Sequence, residues 1–413
     1  MNIVDLSNDE RLRSVYDPNY IHYVAGTGSD CPVRVCMDGR MLADDAGTGV
    51  ATYARTLARS LPGAGAEVLT LDDDRRADPR GRVPRLLSVI AGGPRMAVAA
   101  GSAAQWVARD IFREAQMFFT IYGRLLALAF DRPPAVMHWT YPIPLYAVGA
   151  KNLYTVHDLI PLTHPHLTPI PSERHGAMLR RIVAQADGIV TVSDSVRRAM
   201  IRHFGIAPDR VTNSYQAVDT PLQADPPLPS GLRSGRYFFF CGRVERRKNL
   251  ECLARAHAES GSGCPLVIVG PDVAGEEALE ATLRGFATVR RIAWVSRPEL
   301  IGMMRRARAL LFPSLAEGFG LPIAEAMTLG CPVLTSVGAA TEEIAGGAAL
   351  LVDPLDRAAI VAAIRRLDTD DALRGQLRAA GFRRGNAFTP ELYIHRLRAL
   401  YDRALSSAAI GEG

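Results

Sequence analysis

The chain has 413 residues, of which 48% are hydrophobic and 22% charged, a balance that is ordinary for a soluble globular protein with room for two domains. It has no run of eighteen apolar residues and no signal-peptide pattern after Met1, so we expect no transmembrane helix and a cytoplasmic location. The net charge of +5 comes without a nucleic-acid-binding motif, and the six scattered cysteines form no CxxC pair, so we expect no nucleic-acid partner, reduced thiols and no structural zinc.

The first half of the chain alternates predicted strands with predicted helices, after a polar and aperiodic extension over residues 1–30. A strand over 33–38 leads into the glycine turn Gly47-Thr-Gly49 and a helix over 50–61, which is the opening of an α/β domain. We expect this domain to span 31–222 and to add strands at 66–71, 136–139, 152–156 and 188–192 and helices at 173–185 and 194–204. Ser193 is predicted to cap the last of these helices, without a chemical role.

The segment from residue 75 to residue 132 is basic, with ten arginines against four acidic residues. Apolar stretches such as Met117-Phe-Phe-Thr-Ile-Tyr122 are interleaved with the arginines. A basic segment with an apolar face can rest on an anionic membrane surface, such as the inner face of a cell membrane. A solvated arginine face over a core helix gives the same pattern, and both interpretations stay open.

A second α/β alternation follows a linker, for which we expect residues 223–235 because the stretch 222–231 holds three prolines and a glycine. The second domain is predicted over 236–389, and a helical segment over 390–413 ends the chain. Its strands are expected at 237–241, 265–269, 293–295, 309–312 and 332–335, followed by a short segment at 349–352, and its helices at 249–258, 276–284, 298–307, 356–367 and 370–385. Two such blocks predict an α/β fold with two doubly wound parallel sheets, whose carboxyl edges face a common cleft.

Two cations stand where the first strand of the second domain ends. Arg243 directly follows Gly242, and Lys248 comes five residues after Arg243, at the start of the next helix. Cations at this place would neutralise the charge of a diphosphate leaving group, while a basic helix cap is the alternative explanation. Arg246 and Arg247 are expected to face solvent.

The stretch Glu317-Gly-Phe-Gly-Leu-Pro-Ile-Ala-Glu325 combines two glutamates with a glycine-rich turn that runs into a helix. Gly318 and Gly320 let the backbone approach a ligand closely. The N–H groups of residues 319–321 would then face outward at the positive end of the helix dipole, where a phosphate binds. This combination predicts a nucleotide-linked ligand, and a capped helix with two surface glutamates is the alternative.

His157 ends a predicted strand of the first domain, within Thr155-Val-His-Asp-Leu-Ile-Pro161. An imidazole at the carboxyl end of a strand in an α/β cleft is well placed to bond a sugar hydroxyl, although a lone histidine often has a structural role. The other histidines lack the spacing of metal ligands.

Together these motifs resemble the signature of glycosyltransferase family 4, the retaining, glycogen-synthase-like group that has the GT-B fold. The Glu-x7-Glu element after Leu311-Phe-Pro-Ser314, the Gly-Arg and Lys-Asn pairs, the His-Asp-Leu-Ile-Pro segment and the first glycine turn each have a counterpart in that family. Thr341-Glu-Glu-Ile-Ala-Gly346 is similar to the family's Pro-Glu-Val-Ala-Gly segment. The resemblance implies two Rossmann-like domains that face a central cleft, and a last helix that crosses back to the first domain.

The resemblance also implies a role for each motif residue. Glu325 would bind the ribose hydroxyls, Glu317 the 3- and 4-hydroxyls of the donor sugar, and His157 the sugar near its 6-hydroxyl, while Asp158 would orient the acceptor side. Backbone and side-chain groups for the phosphates would come from Gly47, Gly49, Gly242, Arg243, Lys248, Gly318, Phe319, Gly320 and Leu321. His157, Arg243, Lys248 and Glu317 are the predicted catalytic residues, and no metal is expected.

The sequence therefore predicts a retaining glycosyltransferase that moves a sugar from a nucleoside diphosphate donor to a glycan or lipid-linked acceptor. The His157 segment favours GDP-mannose, and bacterial surface polysaccharide synthesis is the expected setting. A sugar-nucleotide epimerase with the same architecture and a catalytically silent scaffold are the alternatives. The oligomeric state is not predicted by any of these features.

Overall fold

The computed structural model describes residues 32–42, 49–73, 89–90, 93–99, 104–220 and 226–406, and its elements form two α/β lobes. The first lobe (33–213) is built on a ten-stranded sheet and the second lobe (238–385) on a six-stranded sheet. Paired strands of the described sheets run parallel, apart from one antiparallel pair in the first lobe. The predicted pair of parallel-sheet α/β units is confirmed.

The strands are, in chain order, β1 (Val33–Asp38), β2 (Ala66–Asp72), β3 (Arg95–Ala99), β4 (Gln105–Val107), β5 (Leu126–Phe130), β6 (Val136–Trp139), β7 (Leu145–Ala147), β8 (Lys151–Val156), β9 (Gly188–Thr191), β10 (Val211–Asn213), β11 (Phe238–Cys241), β12 (Leu266–Val269), β13 (Val289–Ile292), β14 (Ala309–Phe312), β15 (Val333–Ser336) and β16 (Leu350–Val352). The α-helices are α1 (Gly49–Ser60), α2 (Ile111–Tyr122), α3 (Ile160–Thr163), α4 (Ser172–Gln185), α5 (Asp194–Phe204), α6 (Leu250–Ser260), α7 (Glu277–Arg284), α8 (Arg297–Arg306), α9 (Leu321–Thr328), α10 (Ala339–Ala345), α11 (Arg357–Thr369), α12 (Asp371–Gly385) and α13 (Pro390–Ser406). Short 3₁₀ helices cover Gly39–Met41, Pro62–Ala64, Pro165–Leu167, Pro208–Arg210, Arg246–Lys248 and Asn386–Phe388.

Both sheets reverse their strand order near the middle. The first sheet has the order β10-β9-β8-β6-β1-β2-β4-β3-β5-β7, and the second has the order β13-β12-β11-β14-β15-β16. In open α/β sheets a crevice for ligands forms beyond the carboxyl ends of the strands at such a reversal. In the second sheet the reversal lies between β11 and β14, the two strands that lead into the Gly242–Lys248 and Glu317–Glu325 segments.

Strands that are buried on both faces were the easiest to predict. All four residues of β11 and all four of β12 are buried and apolar, the continuous pattern of a covered parallel sheet. The strand predicted at 293–295 is wrong, because the strand is β13, Val289-Arg-Arg-Ile292. Its two arginines interrupt the apolar pattern that is typical of a strand in a covered sheet. Arg291 lies along this edge strand, pairs with Glu280 at 2.9 Å and donates to the carbonyl of Ile268 at 2.7 Å.

The described part of the basic segment contributes β3, β4, β5 and α2 to the first lobe, none of which was predicted. Phe118 and Phe119 of α2 are buried in the core, and this helix carries one arginine, Arg113. Met96, Val98 and Ile121 are nevertheless about half exposed, at 51%, 55% and 47%. An apolar surface therefore remains on this part of the first lobe.

Among the described residues, no helix has both the length and the apolar character needed to cross a membrane.

The last helix, α13, lies against the first lobe and joins a buried polar network there. The hydroxyl of Tyr401 lies 2.7 Å from Nδ1 of His138, and Nε2 of His138 lies 2.8 Å from Oγ1 of Thr155. Thr155 Oγ1 is in turn 2.8 Å from the hydroxyl of Tyr53 on α1. Burial lowers the pKa of His138 to about 3, so this imidazole is neutral near pH 7. We call these four residues the Tyr401–Tyr53 network.

Candidate functional site

A cavity of about 320 Å³ opens between the two lobes, beyond the carboxyl ends of β8, β11 and β14. The structure brings every described residue of the predicted site to this cavity, whose lining includes Gly49, His157, Gly242, Arg243, Lys248, Glu317, Gly318, Phe319, Gly320, Leu321 and Glu325. Gly47 lies outside the described residues. Residues from four separate motifs therefore share one space.

The glycine turn before α9 is shaped by close backbone approach. A Cβ atom on Gly318 would lie 1.8 Å from the carbonyl oxygen of His157, so a larger residue has no room there. Gly320 has a φ of 87°, the left-handed region that favours glycine. Within the described part of the chain, the N–H groups of residues 319–321 donate to no protein acceptor. The turn thus presents free donors at the start of a helix, the arrangement that binds phosphate.

A buried ionic cluster fills the floor of the cavity. Nζ of Lys248 lies 2.5 Å from Oε1 of Glu317, and the Arg247 guanidinium donates to Oε2 of the same carboxylate at 3.1 Å. Burial favours a raised pKa for Glu317, but the Lys248 and Arg247 cations outweigh it, and the pKa lies below its ordinary value. Glu317 is therefore an ionised, fully paired carboxylate.

The prediction that Arg247 faces solvent is wrong. Its side chain is only 22% exposed, because it pairs with Glu245 at 2.6 Å as well as with Glu317. The two carboxylates that bind its guanidinium explain why Arg247 points into the protein. One of them, Glu317, is 70 residues away in sequence, so the sequence around Arg247 did not indicate this pairing. The prediction is right for Arg246, which is 71% exposed and pairs with Glu276 at 3.3 Å.

Arg243 differs from the paired cations of this cluster. It is exposed at the cavity wall and makes no hydrogen bond or ion pair with a described residue. An uncommitted guanidinium beside free backbone N–H groups can form bidentate bonds to a phosphate without first breaking a protein contact.

His157 reaches the cavity from the first lobe. Its Nε2 lies 2.8 Å from the carbonyl oxygen of Thr140, and since a carbonyl only accepts, Nε2 carries the proton. Burial lowers the pKa of His157, although the bond to Thr140 opposes this, so the ring is neutral and Nδ1 keeps its lone pair. Tyr53 packs edge-on against the imidazole at 4.9 Å, and Tyr141 stacks at 6.3 Å.

Among the cavity residues that the sequence analysis missed are Arg297 and Trp294. Arg297, the first residue of α8, pairs with Glu325. Trp294 lines the same cavity and is 70% exposed. Both were missed because a strand was predicted at 293–295. Ser296 and Glu299 form a capping box, and the spacing Ser-x-x-Glu in the sequence indicates the helix that begins there.

A second cavity, of about 580 Å³, adjoins the first on the side of the His157 segment. The two cavities share His157, Asp158, Arg243, Glu245 and Arg247. Toward the first lobe, the second cavity is lined by prolines and aliphatic side chains together with histidines and Asp158, and toward the second lobe its lining is mainly charged. Two spaces that meet at one imidazole can hold two substrates whose reacting groups come together there.

The described residues contain no cluster of three or more His, Cys, Asp or Glu side chains that could hold a metal ion. The described cysteines are all free, and Cys31 lies outside the described residues. The charged residues that line the first cavity are arginine, lysine, glutamate and one aspartate, Asp158.

Two family models match the chain. "Glycosyltransferase Family 4" matches residues 47–221, and "Glycosyl transferases group 1" matches residues 235–370. Each match covers one lobe, and the second contains the ionic cluster, the glycine turn and Arg297.

Curated relatives point to the same family, and a solved structure shares the fold. O-antigen chain mannosyltransferase B of Escherichia coli is 32% identical over 58% of this chain and 67% of its own length. The serotype-specific mannosyltransferase WbdA of Escherichia coli is 28% identical over 65% of this chain, which spans only 36% of that longer protein. Sucrose-phosphate synthase from Thermosynechococcus elongatus superposes with a TM-score of 0.68 over 91% of this chain and all of its own, at 20% identity, a likeness of fold.

Proposed function

Because this chain belongs to glycosyltransferase family 4, we propose that it is a retaining enzyme that moves a sugar from a nucleoside diphosphate to a glycan or lipid-linked acceptor. The observation that carries the proposal is the first cavity. It combines free N–H groups at the start of α9, an unpaired Arg243 and the paired glutamates of the Glu-x7-Glu element. Phosphates and sugar hydroxyls need these same two kinds of partner.

In the proposed complex, the diphosphate lies against Arg243, Lys248 and the N–H groups of residues 319–321. Glu325, held by Arg297, accepts from the ribose hydroxyls, and the base extends toward Trp294. Glu317 accepts from the 3- and 4-hydroxyls of the sugar. Cations close to the bridging phosphate stabilise the charge that develops as the glycosidic bond breaks.

The chemistry we propose is attack on the same face of the sugar, through an oxocarbenium-like state, with the departing phosphate as the base. The geometry supports this because the nearby carboxylates are occupied. Glu317 is bound by Lys248 and Arg247, and Asp158 accepts from the N–H of Ile160 at 3.0 Å. A retaining glycosidase instead needs a free carboxylate as nucleophile. Trapping of a covalent glycosyl adduct on any side chain would contradict this mechanism.

No metal takes part in the proposed reaction, because Arg243, Lys248 and the start of α9 supply the positive charge that a metal would bring. A chelator should therefore leave the transfer rate unchanged. A rate that collapses with chelator and returns with magnesium or manganese would overturn this part of the proposal.

GDP-mannose is the proposed donor. The mannosyltransferase names of the Escherichia coli relatives and the His157-to-Pro161 segment support it. The test is a panel of nucleotide-sugars, scored first by thermal stabilisation of the protein and then by transfer to mannose-containing glycans. The strongest stabilisation is expected from GDP-mannose. Stabilisation by UDP-sugars alone would contradict GDP-mannose as the donor, but it would agree with a glycosyltransferase that uses another donor.

The same panel separates the alternatives. A sugar-nucleotide epimerase would change the nucleotide-sugar in the absence of an acceptor, and a silent scaffold would change nothing with or without one. We expect slow hydrolysis at most without acceptor, and release of GDP with it. The analysis of the sugar product by NMR would also show whether the anomeric configuration is retained.

The proposed setting is the assembly of a bacterial surface polysaccharide at the cytoplasmic face of the membrane. The O-antigen relative and the half-exposed Met96, Val98 and Ile121 in the basic segment support it. Co-sedimentation with anionic vesicles tests the membrane contact. Equal binding by the wild type and by a variant with arginines of 75–132 changed to glutamine would refute it.

A further inference from the structure

Helix α5 of the first lobe begins against a carboxylate of the second lobe. The N–H of Asp194 donates to Oε1 of Glu343 at 2.7 Å, and the N–H of Ser195 donates to Oε2 at 2.7 Å. The Glu343 side chain is only 14% exposed. A carboxylate on two free N–H groups at the positive end of a helix dipole is a strong, directional contact. Here it joins two lobes rather than two parts of one.

The residue before this helix makes a second contact between the lobes. Ser193 caps α5, as predicted, because its Oγ accepts from the N–H of Val196 at 3.2 Å. The same hydroxyl donates to the carbonyl oxygen of Gly318 at 2.7 Å, so it also has a partner in the glycine turn. Gly318 in turn lies directly against the carbonyl of His157. Ser193 therefore links the first turn of α5 to the place where the lobes meet at the cavity.

Glu343 is itself held in place within the second lobe. Arg384 donates to its backbone carbonyl at 2.7 Å and to the carbonyl of Ile344 at 3.0 Å. A carboxylate on a fixed backbone holds its partner helix in a defined position, whereas a carboxylate on a flexible loop would move with that helix. Neighbouring Glu342 differs, since its carboxylate accepts from the N–H of Gly338 at the start of its own helix and makes no hydrogen bond or ion pair with a described residue of the first lobe.

We propose that Glu343 and Ser193 are positioning residues for sugar transfer, which together hold the first lobe in register over the glycine turn. This proposal rests on the proposed function. In the proposed complex, the side chains and the helix start that hold the nucleotide lie in the second lobe, and the first lobe adds Gly49, His157 and much of the second cavity. The contact at α5 decides whether the imidazole meets the sugar bound by the other lobe.

This division predicts a particular kinetic pattern. Loss of the contact should leave nucleotide affinity unchanged, because Arg243, Lys248 and Glu325 keep their places without the first lobe. The transfer step should slow, since a displacement of about 1 Å in a reacting geometry can cost about 100-fold in rate. A purely structural defect would instead lower nucleotide affinity and thermal stability together.

The contact itself is tested by hydrogen exchange on Glu343→Ala, with Glu342→Ala as the matched control. The amides of Asp194 and Ser195 should exchange at least tenfold faster in Glu343→Ala and at the wild-type rate in Glu342→Ala. Equal exchange rates of these two amides in both variants would show that Glu343 does not protect them. This readout needs no activity, so it remains decisive even if the chain transfers no sugar and the proposed function fails.

Kinetics test the role. We expect kcat to fall by ten- to a hundredfold in Glu343→Ala and Ser193→Ala, with the Kd for GDP within twofold of the wild type by calorimetry. Ser193→Thr keeps a hydroxyl and should recover most of kcat. Asp356→Ala, which removes the cap of α11 inside the second lobe, controls for the loss of a cap. An unchanged kcat, or a parallel loss of GDP affinity, would overturn the proposal.

Discussion

The two walls of the cleft differ in charge. The wall from the second lobe carries an unpaired arginine, a lysine and a row of ion pairs around Glu317 and Glu325. The wall from the first lobe offers the neutral imidazole of His157, backed by Tyr53 and Tyr141, and its carboxylate at Asp158 is engaged by a backbone N–H. This difference indicates that the second lobe binds the anionic part of a ligand, while the first lobe presents neutral groups to a sugar.

The charged wall is tested most strongly at Lys248. Replacement by alanine should lower kcat by about 100- to 1,000-fold, since it removes a buried cation from the site where charge develops. Arg246→Ala changes the same turn at an exposed position and should alter kcat by less than twofold. Initial rates of GDP release would be measured, with circular dichroism as the check on folding. Full activity of Lys248→Ala would remove the assignment of the diphosphate to this wall.

The neutral wall is tested at His157, where we expect a smaller effect. His157→Ala should lower kcat by about 10- to 100-fold, because an oriented contact to the sugar is lost while the nucleotide contacts remain. The Kd for GDP should stay within twofold of the wild type. His164→Ala, an exposed neighbour in the same segment, is the control. A large loss of GDP affinity in His157→Ala would show that the two walls are not divided in this way.

Trp294 gives a spectroscopic test of where the base lies. The chain has three tryptophans, and Trp106 and Trp139 are buried, so a nucleotide at the rim of the cavity should change mainly the emission of Trp294. Stacking on an aromatic ring is worth about 1–3 kcal/mol, so Trp294→Ala should weaken GDP binding by about fivefold or more. GDP should quench wild-type emission and leave Trp294→Phe nearly unaffected. Equal quenching in both proteins would place the base elsewhere.

The smallest expected effect concerns stability and the neutral interior behind the first wall. His138 has a folded pKa of about 3 and an unfolded value near the ordinary 6.5, so below pH 6.5 the unfolded chain binds a proton that the folded chain rejects. The free energy of unfolding should therefore fall from pH 6.5 toward pH 3, by at most about 1.4 kcal/mol per pH unit from this group. Urea titrations at several pH values would measure it.

His138→Gln should flatten this dependence relative to the wild type, and replacement of the exposed His203 by glutamine should not. The half-buried His157 and the buried His175 and His257 also have pKa values lowered by desolvation, and they add a dependence of the same sign that both variants keep. Identical slopes for the wild type and His138→Gln would show that folding does not lower the pKa of His138.

The sequence predicted the second lobe better than the first, for a physical reason. Strands such as β11 and β14 are covered on both faces and are therefore unbroken apolar runs. Short or half-exposed strands such as β3 and β4 have small or polar residues and give no such signal. An edge strand with two arginines, β13, was displaced by a few residues for the same reason.

The candidate site followed a similar rule. Residues within one motif, such as Glu317 and Glu325, were found because a turn and a helix fix their geometry locally. Contacts between distant segments could not be found, because nothing near Arg247 or Glu343 in sequence indicates Glu317 or the start of α5. Ser193 shows the limit clearly, since its capping role was predicted and its bond to Gly318 was not.

The Tyr401–Tyr53 network has a consequence for the order of folding. Tyr53 and His138 lie within the first lobe, but their partner Tyr401 and the covering residues Tyr393 and Leu397 follow the whole second lobe in the chain. The interior of the first lobe is therefore complete only after a contact forms between residues that are 263 positions apart. A contact over so long a loop forms late, because the entropy of closing the loop opposes it.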